Sequence, residues 1–396
     1  MRSYPNLPAK SLIVGIMLLA FGSSPLVSAD QSSETTKHPL PLEELSTFSE
    51  VYYHVKSHYV EEVDDQVLIK AAIRGMVSSL DNHSKFLDSS DLRHFQADNS
   101  GEYAGIGLGF VDHPLGIKIN SVIKNSPAER QNLKEGMIIT KINGIDIAQI
   151  SLDDAYKLMR GKKASQVKLR VFESGHSENH TDHILTREII YLPSVSSDLL
   201  PDNTGYLAIY QFTKKSPLEF VEALGEMSAN QPIQKLIIDL RDNPGGTLES
   251  SIEIADFFVD SGILLTSSGR TSEANETFAA SKITPYKDLK LVVMMNEHSA
   301  SSSEILAAAL QDHNKAIILG STSYGKGSIQ SIYFLQRESG LKITTAKYYS
   351  PNGHEIQDVG ITPDVKFRTN HLINNQDTNV LDDLEILQAF ELISKR

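Results

Sequence analysis

Three stretches of the chain carry residue types that could do acyl-transfer chemistry. Asn296-Glu-His-Ser-Ala-Ser-Ser-Ser-Glu-Ile305 lies between an apolar run, Leu291–Met295, and an Ala-rich helical pattern reaching about Gln311. Ser301 and Glu304 have the spacing of a capping box there, and serine is an expected residue at a helix start. The same position also suits a nucleophile, because a helix N-terminus favours the negative charge that develops nearby. Asp239-Leu-Arg-Asp-Asn-Pro-Gly-Gly246 follows a second apolar run. It reads either as a type II turn or as a loop whose Gly245 and Gly246 aim backbone N–H groups at an oxyanion. Tyr324-Gly-Lys-Gly-Ser-Ile-Gln330 sets Lys326 between two glycines, as a solvated turn residue or as a general base. A base must be neutral, and an ordinary lysine has a pKa near 10.4. Burial that lowers it by about 3–5 units demands roughly 4–7 kcal/mol of desolvation, so the basic role requires an apolar pocket.

Composition narrows the alternatives. The 396 residues include no cysteine, which excludes thiol nucleophiles, cysteine-ligated zinc and disulfides. The net charge is −13 with no block of Lys and Arg, so a footprint for nucleic acid is missing. His176, His180 and His183 have metal-like spacing but fall in a polar stretch between the strand patterns Gln166–Phe172 and Ile184–Ile190. We expect neither a required metal nor a cofactor. Glu297 and His298 read as loop residues, and His313 as a helix-end residue near the negative pole of the dipole.

The elements that must position these residues follow from periodicity. Phe48, Val51, Tyr52, Val55 and Tyr59 recur at helical spacing, and a second helix fits Gln66–Leu80. From about Ser89 to Ser174 the pattern changes to short strands and turns. Gly101–Phe110 is Gly-rich, Ile117–Ile123 is extended, and Ser126-Pro-Ala-Glu129 reads as a short capped helix. Met137–Ile142 closes at an Asn143-Gly144 turn, Ser151 caps a further helix, and Gln166–Phe172 alternates as a strand. This order resembles a PDZ domain, with Gly105, Ile106, Gly107 and Leu108 resembling its carboxylate-binding loop. After residue 185 strands and helices alternate: Tyr206–Phe212, a helix from Ser216-Pro217, Leu236–Leu240, Leu291–Met295, Ala316–Leu319, Ile329–Leu335 and Leu341–Tyr348. Gly269–Pro285 reads as a loop and Val380–Ile393 as an amphipathic helix.

Taken together, the motifs resemble those of the carboxyl-terminal processing proteases, tail-specific serine proteases with a Ser–Lys pair. The likeness runs from about residue 45 to 366. It rests on Leu80-Asp-Asn-His-Ser-Lys-Phe86, the Asp239–Gly246 loop, Ser299–Ile305, Ala308-Ala-Leu-Gln-Asp312, Gly325-Lys-Gly327, Tyr349-Ser-Pro-Asn-Gly353 and Gly360-Ile-Thr-Pro-Asp364. The resemblance implies an α/β, crotonase-like protease core with an inserted PDZ domain and an N-terminal helical segment. It makes Ser301 the nucleophile, Lys326 the general base and Gln330 the residue that orients the lysine. It assigns the oxyanion to backbone N–H groups of Ser302 and of Gly245 or Gly246, and supporting roles to Asp312 and Arg241. Ser302 stands where the family usually has Ala, and Tyr324 where it has Phe. Four residues along a strand span about 13 Å, so Gln330 reaches Lys326 only if the chain bends at Gly327.

The domain reading is a signal peptide over 1–29, a disordered lead-in over 30–41 and an N-terminal helical segment over 42–88. A PDZ domain over 89–174, a protease core over 175–366 and a helical tail over 367–396 follow. Arg2, Lys10, the apolar run Leu12–Phe21 and Val27-Ser28-Ala29 give the signal pattern, cleaved or retained as an N-terminal anchor. The expected protein is therefore exported, periplasmic or extracytoplasmic. By resemblance its partners are protein substrates with nonpolar C-termini, with the helical ends as surfaces for an adaptor or a homodimer. Two alternatives are weighed against the protease: a catalytically silent PDZ scaffold or chaperone, and a crotonase-like acyl transferase.

Overall fold

The computed structural model describes residues 40–173, 180–336, 338–367, 380 and 383–395. The signal pattern, the lead-in up to residue 39, His176 and half of the expected tail lie outside them. The chain divides into two units, one ending at Leu68 and one starting at Ile69. The first contains helix α1 (Leu42–His58), none of whose residues is buried. Helix α2 (Asp65–Ser78) crosses the division.

The second unit opens with strand β1 (Lys85–Leu87) and helix α3 (Ser89–Ser100), which Asp88 caps through the N–H groups of Ser90 and Asp91. Residues 85–87 are thus not helical, as the segment 42–88 was expected to be. They pair with a strand more than 250 residues away, which local periodicity cannot announce. Strands β2 (Glu102–Gly105), β3 (Leu108–His113) and β4 (Gly116–Val122) follow, then helix α4 (Pro127–Arg130), with Ser126 as its cap. Strands β5 (Ile138–Ile142) and β6 (Ile145–Asp146) flank the Asn143-Gly144 turn, both of whose residues have positive φ. Helix α5 (Leu152–Met159) is capped by Ser151, and strands β7 (Gln166–Phe172), β8 (Thr181–Thr186) and β9 (Glu188–Tyr191) complete the region.

The boundary expected at residue 174 falls inside a hairpin. β8 pairs with β7 from Gln166↔Thr186 to Val171↔Thr181, extending the order β3-β4-β5-β7-β8, and β9 returns to pair with β2. Arg187, between β8 and β9, is buried and donates to the carbonyls of Leu158 and Met159 at the end of α5. The single strand expected over 184–190 is therefore two, joined at an arginine that satisfies a helix C-terminus.

The rest is the layered core. Strands β10 (Val195–Leu200) and β11 (Thr204–Ile209), helix α6 (Ser216–Met227), strand β12 (Lys235–Asp239), helix α7 (Leu248–Asp256), and strands β13 (Ile263–Gly269) and β14 (Thr277–Ala279) come first. Strand β15 (Lys290–Met295), helix α8 (Ser302–Asp312), strands β16 (Ala316–Gly320), β17 (Ser328–Leu335), β18 (Ser339–Tyr349) and β19 (Val365–Lys366), and helix α9 (Leu384–Ser394) follow. One sheet runs β10-β11-β12-β15-β16-β19 and is parallel apart from β10. Its central strands are buried on both faces, which explains why Leu236–Ile238 and Leu291–Met295 read as continuous apolar runs. The second sheet is antiparallel: β1-β18-β13-β14, with β17 on β18. β14 interrupts the stretch expected to be loop, and β11 stops three residues short of Phe212.

Arg241 joins the tail to this core. Its guanidinium contacts Asp239 at 2.6 Å, Asp383 at 2.9 Å and Glu385 at 2.5 Å, and Tyr206 also donates to Asp239 at 2.8 Å. Burial alone would lower the arginine pKa, but Asp239 and Asp383 raise it, so the charge is permanent. Removing one partner of a buried pair strands the other. Arg241→Ala should therefore cost about 3–5 kcal/mol in urea unfolding.

Candidate active site

Ser301 sits where β15 gives way to α8, as residue types and spacing suggested. Its backbone is held at φ 57° and ψ −115°, a conformation that costs an L-residue about 1–3 kcal/mol unless its surroundings impose it. The surroundings here are the Asp239–Gly246 loop. Ala300 N–H donates to the Asn243 carbonyl at 3.0 Å, Ser299 Oγ to the Leu240 carbonyl at 2.8 Å, and Ser303 Oγ to the Asn243 carbonyl at 3.0 Å. Asn296 and Asp242 exchange a further pair of bonds. The serine-rich composition of 299–303 is thus consumed in stitching two loops together.

Gly245 is required at this junction. It has φ +102°, and a Cβ there would lie 2.7 Å from Ser301 Cβ and 3.0 Å from Ser302 N. Its own N–H is taken by Asn243 Oδ1 at 2.9 Å. Of the two glycines, Gly246 therefore keeps its N–H free, as does Ser302: among the described residues neither donates to another group. The Ser302 side chain turns away, its Oγ donating to the Thr247 carbonyl at 3.2 Å, so serine in place of alanine leaves its N–H undisturbed.

Lys326 lies on the loop after β16. Burial pushes its amine below the ordinary lysine value, and the Glu304 carboxylate opposes part of that shift. Among the described residues the amine makes no hydrogen bond or ion pair. His83, from the segment before β1, and Lys342, on β18, are both depressed first by burial and then by the nearby Lys326 charge. Gln330 is not directed at the lysine. A register shift between Ile329 and Gln330 turns its amide to donate to Ser328 O, Ser328 Oγ and Thr344 Oγ1. The irregularity in the chain lies at Ile329/Gln330 rather than at Gly327, and the amide bonds to its own strand and its neighbour.

The residue that does connect the two halves is Glu304, which spacing alone marked only as half of a capping box. It is fully buried on α8. Its carboxylate accepts from Ser301 N at 2.8 Å, Ser323 Oγ at 2.6 Å, Gly325 N at 2.7 Å and Lys326 N at 2.9 Å. Arg241 and Asp312 lie away from the serine. Asp312 accepts from Ser350 Oγ at 2.6 Å and Asn352 N at 2.9 Å, anchoring the turn after β18. His298 and Tyr324 are exposed.

In the PDZ-like region the Gly105–Leu108 loop edges a cleft of about 230 Å³ that also includes Phe110, Tyr156 and Met159. Ile106 is buried, and Gly107 has φ +79°. β3 ends its sheet, so among the described residues one edge is unpaired. The Tyr156 ring stacks on Phe110 at 4.1 Å, and its hydroxyl donates to the Phe110 carbonyl at 3.3 Å on that edge.

Comparison with known proteins agrees with this architecture. Residues 203–367 match the model of peptidase family S41, 95–172 a PDZ domain, and 20–90 the N-terminal domain of the activating protease CtpB. The chain is 36% identical over 349 residues to a carboxy-terminal-processing protease of Bartonella bacilliformis, covering 87% of this chain and 80% of that one. It is 34% identical over 348 residues to a CtpA-like serine protease of Staphylococcus aureus, covering 86% and 69%. A crystal structure assigned to the S41 proteases, from Bacteroides fragilis, shares the fold at TM-score 0.50 and 16% identity, covering 84% and 93%.

Replacing Glu304 by Gln puts an amide N–H₂ against main-chain donors. An unsatisfied buried donor costs about 1–3 kcal/mol. Urea unfolding of Glu304→Gln should show that loss, and the same energy expressed in kcat is about 5- to 150-fold.

Proposed function

The chain belongs to peptidase family S41, the carboxy-terminal-processing serine peptidases, and from that premise we propose that Ser301 and Lys326 perform the cleavage by an acyl-enzyme route. Neutral Lys326 Nζ takes the proton from Ser301 Oγ as the oxygen attacks the scissile carbonyl carbon. The N–H groups of Ser302 and Gly246 receive the oxyanion. The C–N bond then breaks as the leaving amine takes the proton from the Lys326 ammonium. Neutral Lys326 Nζ next deprotonates a water, the hydroxide attacks the acyl carbon, and the ester C–O bond breaks as the proton passes from Lys326 to Ser301 Oγ. The observation that carries this reading is the strained Ser301 backbone, tied through Glu304 to the loop of a half-buried lysine that has no partner among the described residues. Gln330 can join after a change of rotamer that frees it from Ser328.

The PDZ domain, in this proposal, holds the nonpolar C-terminal end of a protein substrate against the free edge of β3, with the Gly105–Leu108 loop at the carboxylate. The signal pattern supports action outside the cytoplasm. The exposed apolar side chains of α1, Leu45, Phe48 and Val51 among them, support a helical contact with a second copy or an adaptor.

Incubating the chain with a protein bearing an apolar tail should yield cleavage that Ser301→Ala abolishes; equal cleavage by both would reject the mechanism. The pH dependence has a definite sign. Lys326 must be deprotonated, so kcat/KM should fall as pH falls through its depressed pKa, with the inflection below the ordinary lysine range near 10.4. Lys326→Arg, which cannot lose its proton, should lose about 10²–10⁴-fold in kcat at any pH.

A further inference from the structure

Tyr348 is fully buried in the core beneath the site, on the strand β18. Its backbone N–H donates to the Gly327 carbonyl at 2.9 Å, so residue 348 is already fixed to the lysine loop. Its phenolic oxygen lies against two main-chain carbonyls from opposite halves of the site: Ser301 O at 3.3 Å and Lys326 O, closer still. Packing does not require that hydroxyl, since phenylalanine would fill the same volume. The arrangement complements Glu304, which takes the N–H groups of the same two residues. One side chain thus gathers their donors, and the single phenolic proton is shared between their acceptors.

We propose that Tyr348 is a positioning residue for the reaction, its hydroxyl holding the main chains of Ser301 and Lys326 at the separation that proton transfer needs. The inference rests on the assignment of Ser301 and Lys326 as the reacting pair. Ser301 has a backbone conformation that relaxes unless restrained, and a small displacement of a reacting group is costly because proximity supplies much of the rate. The Ser301 carbonyl also accepts from Ile305 N–H at 3.0 Å, the first bond of α8, so the hydroxyl acts at the point where helix and nucleophile meet. Burial and then the Glu304 charge raise the phenol pKa well above its ordinary value, so the group remains a neutral donor wherever the enzyme works. Being buried, it is out of reach of substrate, and its effect belongs in kcat rather than KM.

The test is Tyr348→Phe in the full chain, assayed on a fluorogenic peptide with an apolar C-terminus. The assay runs at a temperature where near-ultraviolet circular dichroism shows the variant folded. The expected result is a fall in kcat of about tenfold, the equivalent of 1.36 kcal/mol, with KM within about twofold of wild type. Tyr333→Phe, which removes an exposed hydroxyl on β17, should leave both constants unchanged. A Tyr348→Phe kcat within about twofold of wild type, a change confined to KM, or an equal loss in Tyr333→Phe would each overturn the proposal. Ser301→Ala run alongside separates the two claims. If it is inactive while Tyr348→Phe is fully active, only the positioning role fails; if it keeps activity, the assignment of the pair fails.

Discussion

A buried carboxylate with four donors around it is the constraint on which the site depends. Glu304 cannot be removed from water without partners, because an uncompensated charge in the interior costs several kcal/mol. The chain supplies those partners from α8 itself and from the Ser323–Lys326 loop. Satisfying one acid therefore fixes the relative position of two segments 19 to 22 residues apart as measured from Glu304. Helix α8, packed against α7 and the parallel sheet through Ile305–Leu310, gives that acid a rigid base.

The same economy appears on the other side of Ser301. Buried serines and Asn243 bond the 296–303 segment to the 240–247 loop through main-chain carbonyls, and Gly245 permits the close approach. These bonds offset the backbone strain at Ser301, which an isolated strand-to-helix turn would relax. Each bond is worth only about 1 kcal/mol net, but several together exceed the about 1–3 kcal/mol of strain.

Substrate capture is arranged differently from chemistry. The PDZ sheet leaves β3 with a free edge, and Tyr156 covers part of it by stacking on Phe110 and capping its carbonyl. A peptide adding to that edge would exchange with an intramolecular hydrogen bond rather than with water alone. In the core, the Lys326 amine has no hydrogen-bond partner among the described residues and the Gln330 amide bonds to Ser328 and Thr344 instead.

The sequence by itself determined the family, the α/β and PDZ architecture, and the segments that meet at the site, because those rest on local signals. Apolar runs marked the buried strands, Ser126 and Ser151 marked helix starts, and the Gly and Ser motifs carried the family likeness. Only the tertiary structure decided what depends on partners distant in the chain. That set includes β1 pairing with β18, the hairpin that carries the PDZ sheet past residue 174, and Gly245 N–H spent on Asn243. It also includes Gln330 turned toward Ser328, and the joining of Ser301 to Lys326 through Glu304. Periodicity records which face of an element is apolar; it holds no record of which donor a given oxygen will meet once the chain has folded back on itself.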